Sequence, residues 1–68
     1  MELIGKKVMG FKFRTKEAGI KYNFAMNNKI NEIGEIEKID GKFCLVKFNE
    51  FDSWYYPIDK IKKHLLNA

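Results

Sequence analysis

Residues 33–57 read IGEIEKIDGKFCLVKFNEFDSWYYP, and the fold turns on how this stretch is read. Near its middle, Asp40-Gly41 separates two apolar-rich runs. An Asp-Gly pair in that setting predicts a β-hairpin, because a two-residue type I′ turn needs φ > 0 at both central positions. On the arm that follows, Cys44, Val46 and Phe48 alternate with Phe43, Leu45 and Lys47. That is the period of two imposed by a pleated strand. Asn49 to Ser53 then forms a short link, and Trp54-Tyr55-Tyr56 a further short strand. Pro57 has no N–H for a ladder, so the strand ends there or lies at an edge. The stretch predicts a β-meander with aromatic side chains on at least one face.

Working outward, Ile30, Ile33, Ile36 and Ile39 recur every third residue. On a helix these four would spread through about 180° and hold no single stripe. Gly34 and Asp40-Gly41 also count against a helix. A strand with a bulge near Gly34 fits better, with a helix over 28–39 as the rival reading. Gly5 to Arg14 is the first strand candidate, with Met9, Phe11 and Phe13 on the face to be buried. Val8, Gly10, Lys12 and Arg14 then face the other way, and Gly10 marks a bulge or bend.

Between Thr15 and Asn31 the signals conflict. Lys16-Glu17-Ala18-Gly19 reads as a turn. Ile20, Tyr22, Phe24 and Met26 then alternate like an extended arm, while Asn27, Asn28 and Asn31 favour turns. Tyr22, Phe24 and Met26 either fold back as a lid over the core or form one wall of a groove. After Pro57, Ile58, Ile61 and Leu65 are spaced as one or two helical turns. Lys60, Lys62, Lys63 and His64 crowd its C-terminal end, where cations are favourable.

Sixty-eight residues make one domain, and a chain of that size buries only about 60% of its unfolded surface. Aromatics are 15% of the residues, which lets a few large rings fill a small core. The single cysteine, Cys44, excludes an intrachain disulfide, and no Cys/His set has zinc-finger spacing. No metal or cofactor is therefore expected, and the cysteine usage fits a reducing cytoplasm. Gly5-Lys6-Lys7 interrupts the apolar N-terminus, so no secretory signal is expected. No run of about 18 apolar residues exists to span a membrane. The net charge of +4 is unevenly spread: the first thirty residues and the last nine are basic, and the middle is acidic. If the termini meet in space, the molecule is dipolar.

Catalysis has little material. His64 is the only histidine and sits among lysines, and Cys44 is in phase with Val46 and Phe48 as a core residue. Glu35 and Glu37 share a strand face and read as a solvated edge, with Asp40 beyond them. The chain reads as a non-enzymatic binding module. Tyr22, Phe24, Trp54 and Tyr55 are the candidate anchors for a protein partner, since aromatic residues dominate interface hot spots. Alternation puts Trp54 and Tyr56 opposite Tyr55, so at least one of these rings must be partly exposed. The alternative is a nucleic-acid binder using Lys12, Arg14, Lys21, Lys60, Lys62 and Lys63, with stacking from Trp54 or Tyr55. Glu32, Glu35 and Glu37 would repel phosphate unless they face away, which ranks the protein partner first. An open β edge would allow a weak homodimer in place of a monomer.

The order of an apolar strand, a long loop, three meander strands, an aromatic-Pro pair and a helical turn resembles the SH3-like small barrel. The run Tyr56-Pro57-Ile58-Asp59-Lys60-Ile61 is similar to the end of peptide-binding SH3 domains. Their acidic Ala-Leu-Tyr-Asp-Tyr opening is missing, and polyproline recognition is not carried over. The whole chain also resembles a group of small proteins encoded by bacteriophages and prophages. The matching pieces are Gly5-Lys6-Lys7-Val8, Gly10-Phe11-Lys12-Phe13, Gly19-Ile20-Lys21-Tyr22, Met26 and Ile33-Gly34-Glu35-Ile36. They continue through Val46-Lys47-Phe48, Ser53-Trp54-Tyr55-Tyr56-Pro57 and the segment from Ile61 to Leu65. The resemblance implies a mainly β fold, a single SH3-like barrel of about five strands with a short C-terminal helical turn. It also implies a phage-type accessory protein in the bacterial host cytoplasm, and it attaches no activity.

Overall fold

The Asp40-Gly41 signal does close a hairpin, one residue later than the spacing predicts. The computed structural model describes residues 2–14 and 22–66. In it Asp40 pairs directly with Phe43, so the turn residues are Gly41 and Lys42. Gly41 has φ of +60°, and Asn31 is the only non-glycine with positive φ among the described residues. Positive φ at the first turn position alone is the type II′ pattern, which asks for glycine there and nothing special at the next residue.

Four strands form one antiparallel sheet in the order of the chain: β1 (Lys7–Met9), β2 (Ile33–Asp40), β3 (Phe43–Asn49) and β4 (Asp52–Pro57). A 3₁₀ helix, Phe24–Lys29, lies between β1 and β2. After β4 come one α-helical turn, α1 (Ile58–Ile61), and a 3₁₀ turn, Lys62–His64. The fold is mainly β, with an unclosed sheet and a short C-terminal helix. A fifth strand is absent among the described residues. In its place Leu65 makes a single antiparallel bridge to Val8, and the Leu66 N–H donates to the Lys7 carbonyl at 2.9 Å. No helix among the described residues is long and apolar enough to cross a membrane.

Residues 33–40 are strand, and the helix over 28–39 does not form. Their bulge falls between Ile36 and Lys38, not near Gly34. The extra residue keeps Ile36 opposite Val46 and turns Ile39 to face Cys44 on the same side. Gly34 instead leaves room for its neighbours, since a Cβ there would stand 2.6 Å from Val46 Cγ1.

The first strand is shorter than its pattern, and its phase slips at Gly10. Val8 is buried and Met9 half-buried, the reverse of the expectation, while Phe11 and Phe13 are buried as expected. At Gly10 the chain changes partners. Its N–H donates to the Glu32 carbonyl at 2.8 Å, and its carbonyl accepts from the Asn31 N–H at 3.2 Å. The approach is so close that a Cβ on Gly10 would lie 2.0 Å from the Lys29 carbonyl oxygen.

The extended arm expected through Tyr22, Phe24 and Met26 is also replaced, by the 3₁₀ helix. Asn23 caps it: its Oδ1 accepts from the Ala25 N–H at 2.8 Å, and its own N–H donates to Met26 Sδ at 3.4 Å. Side-chain capping competes with extended backbone locally, and here it overrides the alternation. Met26 still reaches the core, beside Val8, Phe11, Ile36, Val46 and Tyr56. The turn predicted at residues 16–19 lies outside the described residues.

Candidate binding surfaces

Period two along β4 sorts the three rings as anticipated. Trp54 pairs with Val46 and Tyr56 with Cys44, which places both on the core side. Tyr55 pairs with Leu45 on the outer face, where it is 38% exposed in a row with Lys38. Tyr56 is wholly buried against Phe11 at 4.9 Å, Phe13 at 5.7 Å and Phe48 at 6.1 Å between ring centroids. Among the described residues its hydroxyl has no hydrogen-bond partner, and neither has the buried indole Nε1 of Trp54. Burial holds the Tyr56 phenol well above the usual tyrosine range and pushes the Cys44 thiol up to about 11.

The four aromatic candidates do not share one surface. Tyr22 is half-buried, its ring edge-on to Phe13 at 5.0 Å and its hydroxyl donating to Asn27 Oδ1 at 2.8 Å. Trp54 packs on the core, and Tyr55 stands on the opposite face of the same strand. Phe24, on the 3₁₀ helix, is 85% exposed.

Other apolar residues outside that set are exposed too, Phe51 and Ile33 the most. Phe51, at the tip of the β3–β4 turn, is 92% exposed, and Ile33, at the start of β2, is 56% exposed. A hydrogen-bond chain ties the Phe51 turn to the Phe24 helix. Lys29 Nζ and Asn49 Nδ2 both donate to Asp52 Oδ2 at 2.8 Å, and Asn49 Oδ1 accepts from the Phe51 N–H at 3.0 Å. The Lys29 and Asn49 donors hold the Asp52 carboxyl below its ordinary value. Phe51 was legible in one respect: a phenylalanine in a short polar link has no neighbouring strand face to bury it.

The described basic candidates lie on two segments that meet. The Leu65–Val8 bridge joins the first strand to the segment after the last turn, and the His64 ring stacks on Phe11 at 4.0 Å, only 5° from parallel. Lys12 and Arg14 on one segment, Lys62 and Lys63 on the other, are all exposed, and Lys60 is half-buried. Lys21 lies outside the described residues. Burial, then the nearby Lys63 charge, holds the His64 imidazole below its ordinary value. Acidic groups gather elsewhere: Glu35, Glu37 and Glu50, with Lys47, Phe48 and Asn49, line a shallow groove of about 580 Å³. Among the described residues, no three His, Cys, Asp or Glu side chains are placed to hold a metal ion.

No family model, curated protein or solved structure matches this chain. Its functional reading therefore rests on these surfaces and their chemistry.

Proposed function

We propose that this chain is a non-enzymatic binding module, a phage-type accessory protein with an SH3-like small barrel, acting in the host cytoplasm. It contacts a protein partner through exposed aromatic residues, with Phe24 and Phe51 as the principal anchors and Tyr55 on a separate face. One observation carries the reading. Two phenylalanines stand 85% and 92% exposed on turns tied to each other through Lys29, Asp52 and Asn49. Single exposed apolar residues are ordinary on any surface. Bulky rings held on braced turns are different, since they lose little conformational freedom on docking. The SH3-like reading draws support from the Leu65 bridge to the outer edge of β1, where a fifth strand would begin to close the sheet.

The test is capture from host extract with wild-type protein beside three variants: Phe24→Ala/Phe51→Ala, Trp54→Ala and Tyr55→Ala. Loss of anchor rings costs about 2 kcal/mol or more, roughly 30-fold in affinity, so the double variant should lose its partner. Tyr55→Ala should lose less. Trp54→Ala should act through stability, seen as a lowered melting temperature. Undiminished recovery by a well-folded Phe24→Ala/Phe51→Ala protein would remove these rings as anchors.

A further inference from the structure

Four cations that pair with no acid among the described residues stand on two segments that the fold brings together. Lys12 and Arg14 alternate with Phe11 and Phe13, whose rings are buried, so both cations turn outward. Lys62 and Lys63 are exposed on the C-terminal 3₁₀ turn. Lys12 and Lys63 each neighbour one member of the Phe11–His64 ring stack, 4.0 Å between centroids. The ion pairs recorded among the described residues, Lys7–Glu35 and Lys29–Asp52, use none of the four. Asp59, on the preceding turn of α1, bonds to neither Lys62 nor Lys63.

We propose that this pole is a contact surface for the phosphate backbone of double-stranded DNA, separate from the aromatic surface and indifferent to base sequence. Exposed cations on two segments that meet at the Phe11–His64 stack create a potential that a polyanion relieves, with release of its condensed counterions. Of the acidic groups that argue against phosphate, Glu32 lies nearest, its carbonyl bonded to the Gly10 N–H, while the others are engaged on the sheet. Glu35 is paired with Lys7 on the sheet at 2.9 Å, and Glu37 and Glu50 line the groove beside β3.

The choice of duplex follows from what the pole lacks. A single strand is held by bases stacked on exposed rings. Here Phe11 and Phe13 are buried, and His64 has one face covered by Phe11. Trp54 faces the core, while Tyr55 lies in the Lys38–Leu45–Tyr55 row of the outer sheet face. A bilayer is disfavoured for the same reason. Peripheral membrane binding requires apolar side chains to enter the headgroup boundary, and those between these cations point inward.

Fluorescence anisotropy with a short labelled DNA duplex, between about 50 and 200 mM salt, tests the proposal. Four phosphate contacts give a log–log salt slope of about −3.6. In Lys62→Ala/Lys63→Ala the slope should become shallower by about 1.8. Lys38→Ala/Lys47→Ala, which removes two exposed lysines of the outer sheet face, should leave it unchanged. Matching thermal melts establish that each variant is folded. Absence of duplex binding at the lowest salt, or equal slope changes in the two double variants, overturns the proposal. Tighter binding to the single strand, or to phosphatidylserine vesicles, overturns it equally. Phe24→Ala/Phe51→Ala should bind DNA like the wild type, which separates this surface from the protein-binding one.

Discussion

Tyr56 places a hydroxyl among Phe11, Phe13 and Phe48, where no described residue bonds it. A buried polar group left unsatisfied costs about 1–3 kcal/mol. Tyr56→Phe keeps the ring packing and removes that group. The variant should therefore be more stable by about 1 kcal/mol, raising the melting temperature by about 4–8 °C for a domain of this size. A lower melting temperature in a scanning calorimeter would mean that the hydroxyl is satisfied after all. That Tyr56 and Tyr55 would part company was readable, because neighbours on a strand point to opposite faces. Which of them would be buried was not. The answer depends on Cys44 and Val46 across the ladder, which place Trp54 and Tyr56 on the side where Phe11 and Ile36 lie.

At the scale of elements, Ile33, Ile36 and Ile39 show how far a pattern carries. A spacing of three on a strand demands a bulge, since only an extra residue returns a side chain to the same face. The spacing does not say between which pair the bulge falls. Its position after Ile36 aligns Ile36 and Ile39 with Val46 and Cys44 and leaves Ile33 outside. Gly10 is the comparable case in β1. The missing side chain signalled an irregularity, and the tertiary reason is the Lys29 carbonyl pressed against it. Gly10→Ala should therefore destabilise by about 2–3 kcal/mol, at the upper end for overpacking, because a backbone atom cannot turn aside as a side chain can. Urea unfolding measures this, and a midpoint equal to wild type would show that the 3₁₀ helix can shift freely away from β1.

For the whole molecule, the meeting of the first strand segment with the last turn is the consequential event. Segregated charge was visible along the chain, but its meaning depended on the Leu65–Val8 bridge and the Phe11–His64 stack. The stack also makes stability depend on pH. His64 titrates below its ordinary value of 6.5 in the folded protein, so the unfolded chain binds the proton more readily. Its contribution is complete above pH 6.5 and is lost as pH falls through the folded-state value. Melting temperatures taken from about pH 7.5 to pH 5 should fall, and His64→Phe, which keeps a ring on Phe11 without the titration, should flatten the decline. An identical decline in that variant would assign the effect to other groups.

By itself the order of residues determined the hairpin, the alternation along β3 and β4, the halt at Pro57 and the division of charge. Each is a property of adjacent residues: a φ that only glycine adopts cheaply, a pleat, a missing N–H, a local sign. Only the tertiary structure decided the turn register, the place of the bulge, which rings remain in water and that the two basic segments meet. Those outcomes depend on what a distant segment offers in close packing, and the identity of that neighbour is not encoded in local spacing.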